Sequence, residues 1–392
     1  MASDSEILVD VVFGSRREAM HLAPVVHAMR ENNLAHVRTI SMHTGDTDLA
    51  PALSSLSLTP DVQWRIRGTD HSSGTFCGEI MLLMGELWNW RKPQWMLTFG
   101  QSDFSFACAF SAFHNHVPLA HVHDVEIDEP HPHNQQLQKS LNAMVDLHFA
   151  ASSGVRERLI REGVNDRKIY SVGSPIADSA HLIRDNLRSP DLARDFFLDL
   201  PEAIFKKLNQ RKFVLLDLKN FPDSLAPWGE FSKRFTAQVP DHLLVVLGAP
   251  EALTQTRLPI EEHCAIVYLS NVGHFQRCYL VAMAGCALSD SIETLDECVS
   301  NGTPGILIAR STERLDLVAS GWMTLAKNSQ VDLLNQLLYF LRENQRGSGA
   351  TVAINALSPL CGASQRIAAA LTSRKDENAR TEKTSLPSRR AI

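Results

Sequence analysis

The stretch ILVDVVFGSRREAMHLAPVVHAMRE, Ile7 to Glu31, runs from a short β-branched segment through Gly14-Ser15-Arg16 into a helical pattern that begins at Arg17. Strand, tight glycine turn and helix are the opening unit of a doubly wound parallel sheet. Working outward, short apolar runs at Val37–Met42, Met96–Phe99, Pro118–Val122, Leu147–Ala151 and Ile169–Val172 read as further strands, with helices at Asp103–His114 and Gly154–Glu162 between them. After a polar stretch near Asp185–Asp199 the pattern restarts. Phe213–Leu218, Leu243–Leu247, Ala265–Leu269, Cys286–Leu288 and Gly305–Ala309 are again short buried runs set a helix-length apart, which predicts a second parallel sheet.

Length agrees, since a single core stops growing near ~250–300 residues and the chain has 392. The fold class is therefore α/β, with two Rossmann-like doubly wound domains facing a central cleft. The expected division is residues 1–175 and 176–358, with the link near Gly173–Asp178. A last helix over 359–372 is expected to return to the first domain. The tail 373–392 has almost no apolar residues and is expected to be disordered.

Charged residues make up 21 % of the chain and the formal net charge is −6. A nucleic-acid partner, which needs a basic face, is not expected. No apolar run reaches the ~20 residues of a membrane span, and the polar start has no signal-peptide layout. The seven cysteines are odd in number and widely spaced, so they read as reduced thiols of a cytoplasmic protein.

Several segments together resemble the UDP-N-acetylglucosamine 2-epimerase superfamily, whose fold is glycosyltransferase-B-like. They are GSRREAMHLAPVVHA (Gly14–Ala28), VPLAHVHDVE (Val117–Glu126), LHFAAS (Leu147–Ser152), REGVNDRKIYSVGSPIAD (Arg161–Asp178), LSDSIETLDECVSNGTP (Leu288–Pro304) and STER (Ser311–Arg314). The resemblance implies a UDP-sugar substrate, no cofactor, no catalytic metal and a homodimer. It also implies that Arg16, Ser291, Glu297 and Arg314 hold the nucleotide. Read without it, Arg16 is a solvated arginine at a turn, Ser291 a plain N-cap, and Glu297 and Arg314 ordinary surface charges.

The implied reaction takes a proton from C2 of the sugar while UDP leaves C1, which calls for acid and base groups beside cations. Glu126 is the best candidate base. His123 and Asp103 are the candidate helpers, although Asp103 also reads as the cap of the following helix. The family pattern is broken elsewhere. Gln101, Asn134 and Gln135 stand where it has carboxylates, Ile292 and Glu293 replace a glycine pair, and the second-domain histidine motif is lost near Asp217-Leu218-Lys219. Those losses leave open a sugar-nucleotide sensor or scaffold as the rival reading, and more remotely a glycosyltransferase. His114, His116, His121, His123, His131 and His133 alternate with acidic residues at a density suited to zinc. The H-x-H resemblance already accounts for His121 and His123, which alternation places on one strand face, and no metal is expected.

Overall fold

The computed structural model describes residues 7–43, 48–66, 73–125, 132–187, 197, 200–218, 228–247, 266–269, 272–326, 330–345 and 362–373. In the first half the strands are β1 (Leu8–Phe13), β2 (His36–His43), β3 (Val62–Arg65), β4 (Trp95–Phe99), β5 (Leu119–His123), β6 (Leu147–Ala150) and β7 (Ile169–Ser171). The helices among them are α1 (Arg16–Glu31), α2 (Leu49–Ser55), α3 (Ser73–Trp90), α4 (Asp103–His114), α5 (Pro132–Met144), α6 (Ser153–Arg161) and α7 (Ile176–Leu187). These strands form one parallel sheet in the order β3-β2-β1-β4-β5-β6-β7.

The second sheet, β10-β9-β8-β11-β12-β13, is also parallel. It is built from β8 (Phe213–Asp217), β9 (Leu243–Leu247), β10 (Ile266–Leu269), β11 (Cys286–Ser289), β12 (Gly305–Leu307) and β13 (Met323–Leu325). Its helices are α8 (Glu202–Asn209), α9 (Trp228–Gln238), α10 (His274–Met283), α11 (Ile292–Ser300), α12 (Leu315–Ala319) and α13 (Gln330–Gln345), and α14 (Ala363–Ser373) closes the described chain. Strand direction of travel reverses between β1 and β4 and again between β8 and β11. Such reversals leave a crevice at the carboxyl ends of the strands, where ligands of open α/β sheets bind.

The central strands are apolar throughout because both faces are covered by helices. Val9, Val11 and Phe13 pack under α1 and α14, while Val12, Ile40 and Met96 pack under α3 and α4. The edge strands β3 and β13 escaped the sequence reading because they are short and their residues are half exposed. Asp178, at the head of α7, accepts hydrogen bonds from the backbone of Gly362 at 2.7 Å and Ser364 at 2.8 Å. One carboxylate thus caps α14 on the first domain, which α14 reaches through α1. The tail beyond residue 373, and with it the expectation of disorder, lies outside the described residues.

The β1–α1 turn shows why its residue types are needed. A Cβ at Gly14 would lie 2.6 Å from the carbonyl oxygen of Met42, so only glycine lets the backbone pass. Ser15 caps α1 by accepting the Glu18 N–H at 3.3 Å, and the Glu18 carboxylate returns to accept from the Gly14 N–H at 2.7 Å. This is a capping box shifted by one donor. Burial of Glu18 outweighs those bonds and pushes its pKa up to about 7 from 4.5. A carboxyl raised on folding loses stability as pH climbs from the unfolded to the folded value. Glu18→Gln does not titrate, so its stability relative to the native chain is expected to improve by on the order of 2–3 kcal/mol between pH 5 and 7.5. Urea unfolding at both pH values reads this, and a difference that does not change with pH contradicts it.

Candidate functional site

The carboxyl ends of the two sheets meet through α1 and α11. Arg16, the first residue of α1, reaches Glu297 of α11 with Nη2 at 3.1 and 3.2 Å from the two carboxylate oxygens, and Glu293 with Nη1 at 3.4 Å. Glu293 and Glu297 are one turn apart and share a helix face, which is how one guanidinium meets both. Arg17 completes the cluster, with Nε 3.1 Å from Glu293 and Nη2 2.6 Å from Asp124 at the end of β5. Burial acts to lower Arg16, but the carboxylates of Glu297 and Glu293 overturn this and raise it. Burial pushes Asp124 up against the pull of Arg17.

The remaining face of Arg16 is also occupied. Its Nε lies 3.0 Å from Nδ1 of His274, the first residue of α10, and Nε2 of the same ring lies 2.8 Å from Ser55 Oγ in α2. Below the cluster His21 stacks on Phe99 with ring centroids 3.8 Å apart. Behind it, at the end of β8, Asp217 accepts from Arg277 at 2.8 Å and from Thr294 at 2.5 Å.

Of the residues singled out in the sequence, Arg16 and Glu297 are in direct contact. Glu297 and Arg314 are each only 2 % exposed, so the alternative that they are surface charges is corrected. Arg314 donates to Asp316 at 2.9 Å and also pairs with Asp296. Both carboxylates belong to its own domain. Ser291 occupies the N-cap position of α11 without a side-chain cap bond, and its N–H donates to Ser289 Oγ at 2.9 Å.

Asp103 is not the cap of α4. Ser102 is, in a capping box with Ser105, and Asp103 stands in the first turn beside Cys77 of α3. Gln101 is half exposed just before that cap. Asn134 and Gln135 fall in the first turn of α5, whereas Glu126 lies outside the described residues.

His121 and His123 do share a strand face, with ring centroids 4.7 Å apart. His123 Nε2 meets His148 Nδ1 at 2.9 Å, and His121 Nδ1 meets Thr98 Oγ1 at 2.8 Å. Burial drives all three below the usual imidazole range, His121 to about 3 and His148 to about 4. A proton joins His123 to His148, and among the described residues no group of His, Cys, Asp or Glu is arranged to hold a metal ion.

Two helix N-termini and an arginine pair thus come together where the two sheets end, and positive ends of this kind favour an anion. The family profile for UDP-N-acetylglucosamine 2-epimerase matches residues 27–372. The chain belongs to that family. Within it, the UDP-N-acetylglucosamine 2-epimerase of Campylobacter jejuni is 22 % identical over 335 residues, covering 83 % of this chain and 87 % of that protein. The Yersinia pestis protein of the same name is 25 % identical over 343 residues, covering 83 % and 89 %. Among solved structures, the UDP-GlcNAc 2-epimerase of Neisseria meningitidis bound to UDP-GlcNAc superposes with a TM-score of 0.77 at 19 % identity, covering 94 % of this chain and all 100 % of that one. The Methanocaldococcus jannaschii enzyme gives 0.73 at 19 %, covering 94 % and 100 %. The family's two-domain fold is thus present throughout.

Sequence reasoning missed Arg17, Asp124 and His274 as members of the cluster. The doubled arginine of Ser15-Arg16-Arg17 was a signal for the first, and the aspartate of His123-Asp124 for the second. The family's glycine pair is replaced here by residues with two separate jobs. Ile292 is buried in the core of the second domain, while Glu293 faces the arginines. Glu293→Ala is expected to raise affinity for inorganic pyrophosphate about threefold or more, since both arginines then keep one carboxylate each and gain room for a phosphate. Ile292→Gly should instead cost about 3 kcal/mol of stability. Calorimetric titration and urea melts separate the two, and unchanged pyrophosphate binding in Glu293→Ala places the anion elsewhere.

Proposed function

We propose that this family member acts on UDP-N-acetylglucosamine or a close UDP-amino sugar in the cleft between its two sheets. It removes the proton at C2 and expels UDP from C1, and the resulting glycal is rehydrated or recaptured. The observation that carries this is the Arg16–Arg17 pair at the head of α1, set opposite the first turn of α11. Cations there match the charge that builds on a departing diphosphate, and the neighbouring Neisseria protein binds UDP-GlcNAc in the same fold. Arg16 and Arg17 take the diphosphate by exchanging it for Glu293, and Glu297 turns from Arg16 toward the ribose. Glu126 is the proposed base. His123, held neutral and well below the usual range by burial, is the weaker candidate to trade protons near neutrality.

Among the described residues no helix is long and apolar enough to cross a membrane, and a cytoplasmic location is part of the proposal. So is a homodimer. Leu82 and Trp90 on α3 and Phe113 on the adjoining α4 are exposed large apolar side chains, a surface that a second copy would cover. Sedimentation should give twice the chain mass, and Trp90→Glu should shift it toward the monomer. A native monomer at micromolar concentration overturns that assignment.

The activity is read by proton NMR of UDP-N-acetylglucosamine in deuterium oxide, where exchange at C2 marks turnover. Glu126→Gln should reduce it by ~10²-fold or more with UDP affinity nearly intact, the mark of a group that acts in the transition state. Loss in His123→Ala with activity kept in Glu126→Gln would transfer the role to His123. UDP binding with no exchange in the native chain would favour the sensor reading.

A further inference from the structure

We propose that His274 is a positioning residue for Arg16, orienting its guanidinium from the opposite domain so that both terminal nitrogens face the nucleotide site. This rests on the reading of Arg16 as a diphosphate-binding group. The hydrogen-bond chain admits a single proton arrangement. A guanidinium can only donate, so the Arg16 Nε–H 3.0 Å from His274 Nδ1 requires a lone pair on that nitrogen. The ring proton then sits on Nε2 and is donated to Ser55 Oγ at 2.8 Å, while the Ser55 hydroxyl donates to the Ala52 carbonyl at 2.7 Å. Every bond points the same way, from Arg16 through His274 and Ser55 to the backbone of α2.

The arrangement differs from that of an ordinary core histidine, whose partners lie in its own domain. Here the imidazole comes from α10 of the second domain, and its nitrogen and oxygen partners come from α1 and α2 of the first. His274 is 2 % exposed, so water has little access with which to replace either bond. The other groups acting on the ring are Cys278, one turn along α10 with Sγ 3.6 Å from Nε2, and the charge of Arg277. Burial, followed by Arg16 and Arg277, holds the pKa at about 3, and the ring stays neutral throughout the working range. With Nε engaged, the guanidinium plane is fixed and its Nη1 and Nη2 edge is turned to Glu293 and Glu297. A diphosphate that takes over from those carboxylates meets a fork already aimed.

The test is calorimetric titration of the full chain with UDP, with a thermal melt for each variant. His274→Phe keeps the ring volume and loses the acceptor. Its UDP affinity should fall about tenfold, the scale of one hydrogen bond to a charged group. His274→Asn restores an acceptor near the place of Nδ1 and should stay within about threefold of native. If His274 acts through Arg16, the Phe variant should cost less than about twofold in an Arg16→Lys background, where the Nε–H is absent. Should His274→Phe lose its cooperative melt, His274→Gln, whose longer amide reaches Ser55 and not Arg16, replaces it with the same expected loss. Equal losses in the Phe and Asn variants, or an undiminished loss in Arg16→Lys, overturn the proposal and leave a space-filling ring. If the native chain binds no UDP, the reading of the site falls and this inference with it.

Discussion

A guanidinium closed off between two domains has to find carboxylates or leave, because an unpaired buried charge costs about 3–5 kcal/mol. Arg16 is in that position, and much of the cleft follows from it. Gly14 must be glycine for the turn to deliver Arg16 at the head of α1. Glu293 and Glu297 must be one helical turn apart to receive it, and α10 must begin with a side chain able to accept its third donor. These requirements fall on separate stretches of the chain, which the two parallel sheets bring to one level by ending at the same cleft.

The family's glycine pair has been exchanged for a packed residue and a charged one. Ile292 adds apolar area to the second domain's core, and Glu293 supplies the cleft with an anion of its own. Around the two arginines stand three carboxylates, Asp124, Glu293 and Glu297, so the cluster is satisfied electrostatically before any ligand arrives. An incoming diphosphate gains only the difference between its own bonds and those it displaces, and the affinity of this site is a balance between two anions.

The central strands were readable from the sequence because both their faces are covered and the apolar run is uninterrupted, as in Phe213–Asp217 and Leu243–Leu247. Two of the four edge strands were not, since β3 and β13 are short, carry half-exposed residues and lack that signature. Within the site, Arg16 was legible because its glycine turn is a local pattern. His274 was not, because its defining partner is 258 residues away and nothing beside it in the chain hints at the pairing. Arg314 is the converse case. Its motif was clear, yet its burial against Asp296 and Asp316 depends on tertiary packing that spacing does not reveal. Ser102 and Asp103 are both good capping residues in neighbouring positions, and only the Ser105 partner decides between them.

The two domains also touch away from the Arg16 cluster, through backbone. The α6 backbone at Gly154 lies so near the chain at Glu313 that a Cβ would come within 2.5 Å of its carbonyl oxygen, and Ser152 Oγ donates to that same oxygen at 2.8 Å. Arg158 fastens the Glu313 side chain at 2.8 Å and the Asp124 carbonyl at 2.9 Å. Backbone in contact with backbone has no side chain to slide or compress. This seam, together with the packing of α11 on α7 and of α10 on α2, fixes how the two domains sit and so sets the reach across which Arg16 meets Glu297.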